Sequence, residues 1–149
     1  MATHRIGVEL RGLNNLLRRR AEASAAHSDL DALTGAHGYV LGFLSHNRHR
    51  DVYQRDIEEA FSIRPSTATV ILQHMEQNGL IVREVASHDA RRKRIVLTDK
   101  ALALDARVRA EHDETEALLR EGVTPEELAT FFRVVRLFRE NLERGATHD

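Results

Sequence analysis

The chain has no cysteine and no tryptophan in its 149 residues. The first absence removes disulfides, thiolate zinc sites, cysteine nucleophiles and thiol redox sensing, and it fits a reducing compartment. Aromatic residues make up 5% of the chain, so no platform of stacked rings is expected. No run of about 18 apolar residues occurs, and no membrane span is expected. The opening "MATHRIGVELRG" lacks the apolar core of a secretion signal, so the expected location is the cytoplasm. There is no glycine-rich phosphate loop and no nucleophile elbow. Ser87, His88 and Asp89 are neighbours in sequence, but a catalytic triad needs convergence in space. The chain is therefore expected not to be an enzyme and to carry no cofactor.

Nine histidines raise the question of a metal. His46 and His49 stand three apart, and His112 lies near Asp113 and Glu116. Without cysteine, and without a pair at His-x3-His spacing, solvated histidines are the expectation and no metal site is assigned. A metal-sensing regulator stays open as an alternative.

A formal net charge of −1 conceals an uneven distribution. Residues 83–100 hold six Lys and Arg against three acids, whereas residues 101–149 hold seven against eleven. Four cations are consecutive, Arg91, Arg92, Lys93 and Arg94, just before the β-branched run "RIVLT". A localised polyanion contact is implied, rather than a generally basic protein.

The chain reads as helices with one change of period. Ile6, Leu10, Leu13, Leu16 and Leu17 recur at helical spacing over residues 5–24. "HSDLDA" breaks the pattern, and Thr34 can cap a second helix bearing Tyr39, Val40, Phe43 and Leu44. "YQRDIEEAF" is a short helix with Ile57, Ala60 and Phe61 inward, and "SIR" is a tight turn. Pro65 opens "PSTATVILQHMEQN", since proline suits the first helical position; Ala68, Ile71, Leu72 and Met75 face inward, and Gly79 is the candidate C-cap. "LIVREV" and "RIVLT", joined by the polar "ASHDARRK", form a hairpin. Alternation puts Ile95 and Leu97 on the core side and Arg94 with Val96 opposite. Thr98 caps a helix over about residues 99–121. Thr124, Pro125 and Glu127 open the last one with a capping box. Its face of Leu128, Phe131, Phe132, Val135, Phe138 and Leu142, widened by Val134 and Leu137, exceeds what a small monomer needs.

Residues 53–98 thus describe a winged helix-turn-helix. In that motif the second helix enters the DNA major groove by its N-terminal residues. Arg64, Ser66, Thr67 and Thr69 cluster there, and Gln73 can pair bidentately with adenine. Singly, each Ser or Thr is more often a cap than a ligand; together, in this context, Ser66 and Thr67 read as DNA contacts. Gln54 and Arg55 begin the bracing helix, within reach of phosphate. A wing carrying Arg suits the narrow minor groove, and clustered cations release counterions from the DNA.

The chain resembles the MarR family of transcriptional regulators along essentially its whole length. "LTGAHGYVL" is similar to the family's second-helix opening, "RPSTATVILQHMEQNGLIVRE" to its recognition helix and first wing strand, and "DARRKRIVLT" to its wing. The resemblance implies a mainly α fold with a small β-hairpin wing. Residues 33–98 would be the winged helix-turn-helix, and residues 1–32 and 99–149 the dimerisation helices. It implies a bacterial, ligand-responsive homodimeric repressor on a pseudo-palindromic operator, nucleoid-associated when bound. It also assigns Asp89 as the wing acid that steadies Arg91 by a salt bridge, and Arg91 as the minor-groove arginine. Where many members carry Arg, this chain has Val70, which shifts base reading to Arg64, Thr69, Gln73 and His74. The expected DNA-binding set is therefore Gln54, Arg64, Ser66, Thr67, Thr69, Gln73, His74, Asp89, Arg91, Arg92, Lys93 and Arg94. An effector would sit between the first, second and fifth helices, near Arg20, His37, Tyr39 and His46. The partners are double-stranded DNA, a second copy and possible effectors, with no membrane. The rival reading is a winged helix that binds protein; the basic wing argues against it, because interface cores are depleted of charge.

Overall fold

A computed structural model describes residues 4–25, 36–86 and 89–146. The break at residues 27–32, the Thr34 cap and the Ser87–His88 connection lie outside these residues. The elements in order are α1 (Ile6–Ala25), α2 (Ala36–His46), α3 (Gln54–Phe61), α4 (Pro65–Gln77), β1 (Ile81–Ala86), β2 (Asp89–Leu97), α5 (Asp99–Arg120) and α6 (Pro125–Ala146). They fall into two compact units, residues 1–111 and 112–149.

The first unit holds the core. Val40, Leu41 and Leu44 of α2, Ile57 of α3, and Ile71, Leu72 and Met75 of α4 are buried together, joined by Val52, Leu80, Ile81, Ile95, Ala101 and Val108. The inward face expected of α4 is the observed one. One expectation shifts: Ala60 is exposed. It lies on the flank of an apolar stripe, where periodicity alone cannot set the boundary.

Local chemistry fixes the ends of the helix-turn-helix. The Asp56 carboxylate accepts the Tyr53 backbone N–H at 2.8 Å and closes the start of α3. α3 ends on Ser62, whose φ of 51° places a non-glycine residue in the left-handed region. There the N–H of Ile63 reaches the Glu58 carbonyl at 3.1 Å. Arg64 is extended and Pro65 starts α4. Gly79, at φ 71°, ends it, letting the Leu80 N–H bond to the Met75 carbonyl at 2.9 Å.

β1 and β2 form a two-stranded antiparallel sheet, and the Ile95 N–H donates to the Val52 carbonyl at 2.8 Å. Ile95 is buried and Leu97 packs on the core, the alternation read from sequence. The strand is longer than expected, however. β2 already begins at Asp89, so the cations are strand residues and not a polar loop. The register jumps from Val85 opposite Lys93 to Ala86 opposite Asp89. This irregularity leaves Arg91 and Arg92 without ladder partners, on a bulged and twisted edge.

At the hairpin's exit the Thr98 hydroxyl donates to the Gly79 carbonyl at 2.6 Å and accepts the Ala101 N–H at 3.2 Å. Asp105 of α5 is the buried charged residue among those described. It accepts from the Ser45 hydroxyl of α2 at 2.7 Å and pairs with Arg109. Burying a carboxylate is costly unless it is bonded and paired, as here.

In the second unit, Gly122 at φ 73° turns the chain after α5. The capping box at α6 is formed: the Thr124 N–H donates to Glu127 at 2.9 Å, and the Glu127 N–H donates to the Thr124 hydroxyl at 3.2 Å. No described residue of α6 is buried.

Candidate nucleic-acid interface

The helix α4 presents one open face. Ser66, Thr67, Val70, Gln73, His74 and Gln77 are all exposed, at the i, i+1, i+4, i+7, i+8, i+11 spacing of a single helical side. Arg64 is exposed at the N-cap, with no side-chain capping bond of its own. The His74 ring meets His37 of α2 edge to face, with centroids 5.9 Å apart.

Thr69 and Gln54 are placed differently from this face. Thr69 is half-buried, and its hydroxyl donates to the Pro65 carbonyl at 2.8 Å. The Gln54 amide lies within 3.1 Å of the Thr69 hydroxyl oxygen, 3.1 Å of Glu58 and 3.3 Å of the Pro65 carbonyl. An amide has two N–H donors, so these contacts occupy it. Gln54 and Thr69 therefore tie α3 to the first turn of α4.

The wing cations divide into three roles. Arg94 donates to Glu84 across the sheet, at 2.6 and 2.9 Å, and reaches Asp51 at 3.5 Å. The Glu84 hydrogen bond and charge, with Asp51 behind them, raise the Arg94 pKa above its ordinary value. Its charge is thus already matched by acids of the same surface. Arg92 lies over the Tyr53 ring, 4.3 Å from the centroid, a cation–π contact that anchors the wing to the start of α3. Arg91 and Lys93 are exposed and make no ion pair with other described residues. The Asp89 carboxylate accepts the backbone N–H of Arg91 at 2.9 Å. The expected salt bridge is therefore replaced here by a backbone contact: two residues apart, the acid closes a local Asx turn and shapes the bulge that displays Arg91.

Three of these partners escaped the sequence reading. Tyr53 carried a signal, an aromatic ring just before a helix beside a basic wing. Asp51 and Glu84 carried none, since their pairing with Arg94 is set by tertiary placement. For the effector set, a cavity of about 340 Å³ lies between α1, α2 and the α3–α4 segment, walled by Leu17, Tyr39, Val40, Phe61, Ile63 and Ile71 among others. Tyr39 lines it; Arg20, His37 and His46 are not among its walls, and α5 contributes no residue. The described residues contain no group of three or more His, Asp or Glu arranged to hold a metal. None of their helices is long and apolar enough to cross a membrane.

A helix-turn-helix braced on a basic hairpin defines the winged-helix class. A model of the MarR family matches residues 33–92. The transcription regulator MarR from Oenococcus oeni PSU-1 is 33% identical, with 91% of this chain and 99% of that one covered and a TM-score of 0.80. MepR of S. aureus, solved with DNA, is 24% identical, covers 94% and 99%, and superposes with a TM-score of 0.84. The transcriptional regulator PA3341 is 26% identical over 94% and 99%, with a TM-score of 0.76. The chain belongs to the MarR family of transcription regulators.

Proposed function

We propose that this regulator is a homodimeric, ligand-responsive repressor that binds a pseudo-palindromic DNA operator. The observation that carries the reading is a continuous chain of contacts. Arg92 on the wing stacks on Tyr53, and the adjacent Gln54 bonds to Thr69 on the recognition helix. Wing and helix are thereby one pre-organised surface, on which Ser66, Thr67, Gln73 and His74 face bases while Arg91 and Lys93 meet the minor groove and phosphates. A two-fold dimer would place two such helices about 34 Å apart, one turn of DNA. The exposed apolar residues of α1 and α6, among them Ile6, Leu16, Phe131, Phe132 and Leu142, support that assembly. The cavity beside Tyr39 suits a small apolar effector, which shifts the population only if it prefers one separation of the helices.

The experiment is a mobility shift with the DNA upstream of the regulator's own gene, at several salt concentrations. Arg91→Ala should weaken binding by ~1–3 kcal/mol if Arg91 enters the groove. Equal binding by wild type and Arg91→Ala would remove the wing from the interface. A salt-independent affinity would point instead to a protein partner.

A further inference from the structure

A second cavity lies apart from the apolar pocket and from the open face of α4. It occupies about 280 Å³ where the C-terminal end of α2 meets the root of β2. Its floor is apolar, formed by Leu44, Val52 and Ile95, while Arg48, Arg50 and Arg94 stand around it with a single acid, Asp51. The positive charge there is incompletely matched. Arg94 is taken mainly by Glu84, at 2.6 Å, and its approach to Asp51 is only 3.5 Å. Arg50 donates from Nε to the Asn47 side-chain oxygen at 3.2 Å and from Nη1 to the Asp51 carbonyl at 3.3 Å, which hold its fork at the cavity, while its nearest carboxylate, Asp56, stands 3.6 Å away, beyond the ~2.7–2.9 Å of a charge-assisted hydrogen bond. Arg48 has no acid partner among the described residues.

Guanidinium groups keep their charge at all working pH values, and their planar forks match the paired oxygens of phosphate. We propose that this cavity is an oxyanion site that takes a phosphoryl group, with Arg48 and Arg50 as its principal donors and Arg94 shared with Asp51. Two sources can deliver the group: a free phosphate or phosphate ester, or a backbone phosphate of DNA running past the wing. The second source rests on the DNA-binding reading above; the first does not. Either occupant acts at a joint of the fold. The Val52 carbonyl beneath it receives the Ile95 N–H, and Arg94 bridges Glu84 on β1 to Asp51 before α3. An anion that draws Arg94 away from Asp51 changes how the wing is tied to the helices.

The test titrates inorganic phosphate into the full chain by calorimetry, with ionic strength held constant by chloride. Saturable binding in about the millimolar range or tighter is expected. Arg48→Gln should weaken it at least tenfold with an unchanged melting temperature, because Arg48 supports no ion pair among the described residues. Asp51→Asn should tighten it, an effect of opposite sign that damage to the fold does not produce. In parallel, the slope of log affinity for DNA against log salt is compared between wild type and Arg48→Gln. A slope shallower by about 0.9 assigns the site to a DNA phosphate. An unchanged slope with lost phosphate binding assigns it to a free anion. No saturable phosphate binding together with an unchanged slope overturns the proposal. If wild type binds no DNA, the reading of the preceding section fails while the calorimetric arm still decides this one.

Discussion

Val70 shows how a single side chain sets the character of a recognition surface. It sits in the middle of the open face of α4, 53% exposed, between hydroxyl and amide neighbours and with no charge to offer a guanine. What an isopropyl group can read in the major groove is the thymine methyl. Replacing thymine by uracil at the contacted position should weaken wild-type binding by about 0.8 kcal/mol, the worth of one buried methyl. The same replacement should leave Val70→Ala almost unaffected. Equal sensitivity of the two proteins to uracil would place Val70 away from the bases. The cations of the wing separate by the same logic. Lys93, with no acid partner among the described residues, should lower the salt slope by about 0.9 when changed to Ala. Arg94→Ala should leave that slope nearly unchanged, since Glu84 and Asp51 already occupy its charge. A matching loss in both variants would show that Arg94 leaves its acids when DNA arrives.

At the scale of elements, stability concentrates where the core and the caps are. Leu72 is fully buried between α4 and its neighbours, and Leu72→Ala should cost ~2–5 kcal/mol, measured by urea denaturation. Thr124→Ala removes the hydroxyl that accepts the Glu127 N–H and should cost about 1 kcal/mol. Features of this local kind were legible in the sequence. Pro65, Gly79 and the Thr124–Glu127 box mark helix ends because the chemistry of an end is settled within a few residues. The inward face of α4 was legible because a period of 3.6 is a property of the chain itself. The start of β2 was not, since a polar segment becomes strand only when a partner strand lies alongside. The roles of Thr69, Gln54 and Arg94 were hidden for a related reason. Their partners stand 15 residues away for Gln54 and Thr69, and 43 for Arg94 and Asp51, and such pairings follow from packing. The family resemblance supplied the fold and the wing acid, but not that Asp89 bonds to the backbone of Arg91.

At the scale of the molecule, the apolar surface is unevenly placed. Phe131, Phe132, Leu137 and Leu142 are all exposed on α6, Leu142 by 76%. In an isolated chain, Leu142→Glu would be a surface change worth within ±0.5 kcal/mol. In the proposed dimer it puts a carboxylate into the interface. Sedimentation should then show monomers at concentrations where wild type is dimeric. The melting temperature should lose its dependence on protein concentration, which mass action imposes on a dimer. An unchanged sedimentation profile would move the dimer contact off this face.

The joint between the recognition helix and α5 carries a mechanical consequence. Thr98 holds the Gly79 carbonyl through its hydroxyl and the Leu80 carbonyl through its N–H, at 2.6 and 3.0 Å. The Lys100 ammonium group donates to the Asn78 carbonyl at 2.7 Å. Three fasteners thus rivet the trailing end of α4 to the leading turn of α5. A force that reaches the first turn of α5 is therefore carried into the end of α4 through backbone carbonyls, without any side chain on the open face of α4 being touched.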